Sequence, residues 1–237
     1  MNITDTNYNF LKANYTDFQN NLINVGNDFG GPSLYFHKRS LEEKNKSFLS
    51  DTHIENIYAT LVAWGMHRMG DTSTKMVDFD VFKNSIINQK DILITLKDYK
   101  INDLNLDRNV LIEQLKSICF SFQVSISNSK IVGNSKTLAH ILPDLVPPID
   151  RQYTIRFFTN EPRSAENTKG LFKNLSDFKN IDEEKKYFDH ILIKTFDFVN
   201  HIFTDKNVIL DGNFNTSYPK IFDNFIMTYV KREKNGA

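Results

Sequence analysis

Apolar positions recur along this chain at intervals of three and four residues, the spacing that builds one face of an α-helix. Between Asp5 and Val25 the series Tyr8, Leu11, Tyr15, Phe18 and Leu22 predicts one helix, stopped by Gly26. Gly30-Gly31-Pro32 then forms a turn, and the short Ser33–His37 segment fits strand or helix equally. Thr52 and Glu55 pair as a capping box that opens the next helix. Its apolar face is Ile54, Ile57, Tyr58, Leu61, Val62 and Gly65, and Gly70 ends it. Further helices are expected near Phe79–Asn88, Asp91–Asp98, Arg108–Val124, Ser135–Leu142, Arg151–Phe158, Glu183–Phe203 and Pro219–Lys231. Pro219 suits a first helical turn, where its missing amide is unpaired in any case. No strand series alternates and no repeat period appears. The pattern predicts an all-α protein with a mobile polar connection near Thr159–Lys169.

Charge changes this picture little. Basic and acidic residues number 29 each, so the chain as a whole lacks the excess of positive charge that marks many nucleic-acid binders. A single cysteine, Cys119, excludes an internal disulfide framework and a cysteine-held metal or iron–sulfur cluster. The six histidines show no zinc spacing, and no phosphate loop, dinucleotide fingerprint or serine elbow occurs, so no metal or cofactor is expected. The polar N-terminus and the lack of a long apolar run point to a cytoplasmic protein with no membrane contact. The 20 phenylalanines and nine tyrosines are expected mostly to fill the core.

Chemistry concentrates in one stretch. Val132-Gly133-Asn134-Ser135-Lys136-Thr137 has the order of a tight glycine turn followed by a helix with a lysine in its first turn. There the helix dipole disfavours a cation and favours the neutral, nucleophilic amine. Pro147-Pro148-Ile149-Asp150-Arg151 follows, a proline-locked turn that sets an aspartate at the mouth of the next helix. Capping alone accounts for an aspartate there. A fixed carboxylate beside a sugar also stabilises the positive charge that develops as a glycosidic bond breaks.

Taken in order, the residues from Lys130 to Arg156 resemble the helix-hairpin-helix DNA glycosylase superfamily, the group of endonuclease III and the 8-oxoguanine glycosylases. The resemblance implies that Lys136 is the nucleophile and Asp150 the assisting carboxylate. It implies that backbone amides around Gly133, Asn134 and Ser135 hold a DNA phosphate, with Arg151, Tyr153 and Arg156 as further nucleic-acid contacts. Asn134 stands near the hairpin's second glycine, and asparagine tolerates a positive φ. An enzyme of this kind needs a pocket for an extruded base. Tyr35, His37, Trp64, His67 and Arg68 are the candidates for lining it. The implied architecture is a two-lobed helical bundle with a cleft between lobes, one of about residues 27–150 and one of 1–26 plus 151–237. The expected partner is DNA and the expected state a monomer. The alternatives are a non-catalytic helical nucleic-acid-binding module and a protein-interaction domain. Lys220 and Asp223, one turn apart, are expected to form an exposed ion pair.

Overall fold

The computed structural model describes residues 2–19, 22, 30–66, 75–103, 105–159, 178–203, 210 and 214–234. Among them the protein is all-α, with one isolated bridge between Met76 and Ser125 in place of any sheet. The helices are α1 (Thr6–Ala13), α2 (Tyr15–Gln19), α3 (Gly31–Lys46), α4 (Asp51–Ala63), α5 (Phe79–Ile87), α6 (Lys90–Leu96), α7 (Arg108–Ser121) and α8 (Ile131–Ile141). A π-helical turn (Arg151–Ile155) then leads into α9 (Arg156–Thr159), α10 (Ile181–Phe203) and α11 (Tyr218–Lys234). One apolar core runs from Tyr8 to Val230, drawing on both segments assigned to separate lobes. No described helix is long and apolar enough to cross a membrane.

Several boundaries differ from the expected ones, each for a local reason. The first predicted helix breaks at Asn14, whose side-chain amide donates to the Phe10 carbonyl at 2.8 Å and so competes with the backbone ladder. The ambiguous Ser33–His37 segment is helical, because the Gly30-Gly31 pair begins α3 rather than a free-standing turn. Gly31 takes φ +56 and Pro32 sits in the first turn. The cap of α4 is Ser50, not Thr52: its hydroxyl accepts the His53 amide at 3.2 Å. The same helix ends at Ala63, where Gly65 turns the chain out with φ +76. Gly26 and Gly70, and most of the polar connection after Thr159, lie outside the described residues.

The largest correction concerns the supposed glycine hairpin. Gly133, Asn134 and Ser135 lie inside α8, and ten of its eleven residues are buried, because α3, α4, α7 and α10 all pack on it. Gly133 is therefore a close-packing glycine: a Cβ there would meet Val124 Cγ1 at 3.0 Å and Met66 Cε at 3.2 Å. Asn134 donates through Nδ2 to the carbonyls of Cys119 (2.8 Å) and Phe122 (2.9 Å), closing the C-terminus of α7. Its own amide already bonds the Lys130 carbonyl at 3.0 Å.

Two of the open amides at the start of α8 are taken as well. Glu184, 2% exposed on α10, accepts from Lys130 N and Ile131 N at 2.8 Å each. A carboxylate in that place satisfies the amides and complements the helix dipole, and it would repel a phosphate. Glu184→Ala should strand two donors in the interior and lower stability by about 2–3 kcal/mol. Urea unfolding checks this, with Glu184→Gln recovering most of the loss. A change near zero would show that water replaces the carboxylate.

Candidate active site

Asp150 is held from three sides. Its carboxylate caps the π-helical turn by accepting the Gln152 amide at 2.7 Å. Its own amide donates to Thr154 Oγ1 at 3.0 Å. The preceding amide, of Ile149, donates to Ser135 Oγ at 3.2 Å, which ties the proline turn to α8. Ser135 thus positions Asp150 instead of meeting a phosphate. The bond from Ile155 N to the Asp150 carbonyl (3.0 Å) spans five residues and makes this turn wider than an α-helical one.

Lys136 projects from the second turn of α8, past the reach of the helix N-terminus, so its partner rather than the dipole sets its surroundings. Lys136 Nζ lies 2.8 Å from Asp150 Oδ2, with the lysine side chain 8% exposed and the aspartate 28%. Burial pushes the Asp150 carboxyl up, but the charge and hydrogen bond of Lys136, with the Gln152 and Tyr153 amides, more than offset it. The carboxyl is left below its ordinary range and ionised at neutral pH. Lys136 Nζ also stands 5.5 Å from the centre of the Trp64 ring, a cation–π contact.

The pair faces a cavity of about 410 Å³. Trp64, Tyr153, Phe214 and Met227 supply its apolar and aromatic wall. Its lining comes from both segments assigned to the two lobes: Trp64, Lys136 and Asp150 from one, Tyr153, Phe214 and Met227 from the other. Of the candidates for a base pocket, Trp64 lines this cavity. Tyr35 is 59% exposed and packs on Phe36. His37 is buried behind Trp64, its ring 5.5 Å from the indole. His67 and Arg68 lie outside the described residues. Among the proposed nucleic-acid contacts, Tyr153 lines the cavity, while Arg151 and Arg156 are half-buried on the segment after Asp150.

Two lining residues were expected elsewhere. Lys220 and Asp223 form an ion pair of 2.6 Å, but it is buried, the side chains being 7% and 5% exposed. Burial pushes the Asp223 carboxyl up, and the Lys220 ammonium opposes that without cancelling it. The signal available in the sequence was a lysine and an aspartate interleaved with the apolar Ile221, Phe222, Phe225 and Ile226.

Behind Trp64 lies a chain of buried imidazoles. His140 Nδ1 is 2.7 Å from the Lys136 carbonyl, which can only accept, so Nδ1 carries the proton. His140 Nε2 is then the acceptor for His37 Nδ1 at 2.9 Å. This assignment requires the His140 ring to be neutral, and burial holds His37 well below its ordinary value, so that ring is neutral too. Burial lowers His140 to about 4, against the opposing pull of the Lys136 carbonyl, and lowers His53 to about 4 as well. Between pH 6.5 and 4 the unfolded chain therefore binds protons that the folded chain refuses, and stability falls as the pH drops through that window. The loss should be on the order of 3 kcal/mol for each histidine. Denaturant midpoints that stay constant from pH 7.5 to 4.5 would contradict it.

Among the described residues no group of three histidine, cysteine, aspartate or glutamate side chains could hold a metal ion. No family model matches the chain, and neither a characterised protein nor a solved structure matches it.

Proposed function

We propose that this protein is a DNA glycosylase with associated strand-cleaving lyase activity, acting on a nucleotide extruded into the cavity beside Lys136 and Asp150. The observation that carries the proposal is the convergence of an amine from α8 and a carboxylate from the next turn, 2.8 Å apart, on one cavity of about 410 Å³. That volume lies in the ~300–1,000 Å³ range of small-molecule sites, enough for a flat ring and its sugar. Trp64 and Tyr153 offer aromatic faces for the ring. Of the order of residues that resembles the helix-hairpin-helix glycosylases, the lysine followed by the aspartate turn supports the same reading, while the glycine hairpin does not.

At rest the Lys136 amine is a cation paired with Asp150, so the reaction must first free its electron pair. The base departs with the electrons of the glycosidic bond and takes a proton from the Lys136 ammonium. Asp150, kept ionised, stabilises the positive charge left on the sugar. The neutral amine then bonds to the sugar carbon, and ring opening gives a Schiff base from which the strand is cleaved. The balance closes within the site: the proton lost by lysine is the one gained by the base.

DNA engages this site by a route other than the α8 amides, which the fold encloses. The half-buried Arg151 and Arg156, next along the chain from Asp150, are the phosphate contacts in this proposal. The non-catalytic binding module, which would use those amides with Lys130, Lys136, Arg151 and Arg156, finds less support, because the amides are enclosed and Lys136 lines a cavity. The test is borohydride trapping on a panel of duplexes, each carrying one altered base. A covalent adduct on one of them supports the proposal. Salt-sensitive binding without any adduct or base release favours the binding module, and no affinity at low salt favours the protein-interaction domain.

A further inference from the structure

The cavity contains more ionic machinery than cleavage of the sugar bond uses. Lys136 and Asp150 occupy the wall beside Trp64. A second ion pair, Lys220 with Asp223, occupies the wall beside Phe214, with Lys220 Nζ 4.4 Å from the centre of that ring. Burying an ion pair costs several kcal/mol per ion in lost hydration, and an apolar pair of similar volume is commonly at least as stable. A core helix gains little from keeping such a pair unless the charges meet something. Here both residues line the same cavity as Lys136 and Asp150.

Their bonding capacity is also incomplete. Lys220 Nζ has three protons and, among the described residues, makes one hydrogen bond, to Asp223 Oδ2. The ammonium can only donate and the carboxylate only accept, so together they match an edge that sets an acceptor beside an N–H. Every base presents some such edge, and the charge of the reaction narrows the choice. As the base leaves, negative charge spreads over its ring and is greatest on a conjugated carbonyl oxygen. A fixed ammonium there stabilises the departing base more than the bound one, which is the condition for faster cleavage.

We infer that Lys220 and Asp223 form the base-contacting half of the site, Lys220 donating to a carbonyl oxygen and Asp223 accepting from the adjacent N–H of the extruded base. This assignment rests on the glycosylase reading and deepens it: the substrate is a base with a carbonyl–N–H edge. It divides the labour of the cavity, with one lysine–aspartate pair for the sugar and one for the base. An abasic site, which has no base to hold, needs only the first pair.

That division supplies the experiment. Lys220→Met combined with Asp223→Leu removes both charges together, so neither is stranded in the interior. The probes are duplexes with a single hypoxanthine, uracil, 8-oxopurine, ethenoadenine (which has no carbonyl) or abasic site. Base release by the double variant should fall by about 100-fold or more, while borohydride trapping on abasic DNA stays within about threefold of the unaltered protein. Lys220→Gln with Asp223→Asn, a neutral hydrogen-bonded pair of the same size, serves if the apolar pair does not fold. Undiminished base release overturns the inference. So does parallel loss of abasic trapping in a variant whose melting temperature is retained, because the pair would then serve the sugar. Release confined to bases lacking a carbonyl–N–H edge overturns it as well. If the unaltered protein traps neither base-bearing nor abasic DNA, the glycosylase reading fails first, and the inference with it.

Discussion

Lys136→Ala abolishes covalent trapping on DNA, with adduct formation falling by at least about three orders of magnitude, the scale on which an essential nucleophile is missed. The effect is expected to be that large because the substitution removes the only atom in the proposed path that bonds to the sugar. Folding should survive it. The partner left behind, Asp150, is 28% exposed and keeps the Gln152 amide, so it is neither fully buried nor unbonded. Removing Lys136 also leaves a gap beside Trp64, whose indole stays anchored through Nε1 to the Ser33 carbonyl at 3.2 Å. Gel analysis after borohydride reduction, with the melting temperature as a control, decides the matter. Adduct formation at an undiminished rate would take Lys136 out of the mechanism. The nearest other amine on the cavity wall is Lys220, and loss of trapping in Lys220→Met alone would then reassign the nucleophile to it.

Asp150→Asn slows base release by about 100- to 1,000-fold, a loss typical when one preorganised electrostatic stabiliser is removed from a transition state. Asparagine retains an oxygen for the Gln152 amide, so the π-helical turn keeps its cap. What disappears is the negative charge facing the sugar. The Lys136 amine, its side chain only 8% exposed, stays on the cavity wall to bond to the sugar. Base release and trapping should therefore separate. Release from base-bearing DNA slows, whereas trapping on a preformed abasic site holds, since no glycosidic bond remains to be broken. Single-turnover kinetics on both substrates measure the split. Equal loss on both substrates would mean that the carboxylate merely supports the fold of the turn. Base release at the normal rate would remove it from the chemistry.

Local rules carried the reading of this chain a long way. The three- and four-residue apolar spacing located α5, α6, α10 and α11 to within a few residues, because helical hydrogen bonds join residues four apart. Asp150 was legible as a helix cap for the same reason: its partner, the Gln152 amide, is two residues away. Pro219 fell in the first turn of α11, as the missing amide of proline requires. Trp64 was named among the candidates for a base pocket, and it lines the cavity. The paired candidates Lys136 and Asp150 came from the order of residues, and the fold sets them in contact.

Other residues obeyed partners distant in the chain. Gly133-Asn134 has the local character of a turn, yet Val124 and Met66 demand a glycine in a helix, and the C-terminus of α7 demands the asparagine amide. The amides expected to hold a phosphate, around Gly133, lie inside a buried helix, and Glu184, 53 residues from Ile131, takes two amides at the start of that helix. Lys220 and Asp223 look like a surface pair at helical spacing, and only the packing of the other elements around α11 turns them inward. Alone, then, the amino-acid order determined the helical class, most helix positions and the residues bearing an amine and a carboxylate. Tertiary structure decided which backbone groups were already occupied, which charges were buried and which side chains share a cavity. The reason is range. Periodicity and capping act within about a turn of helix, whereas burial is a property of everything that packs around a residue, however far away it lies in the chain.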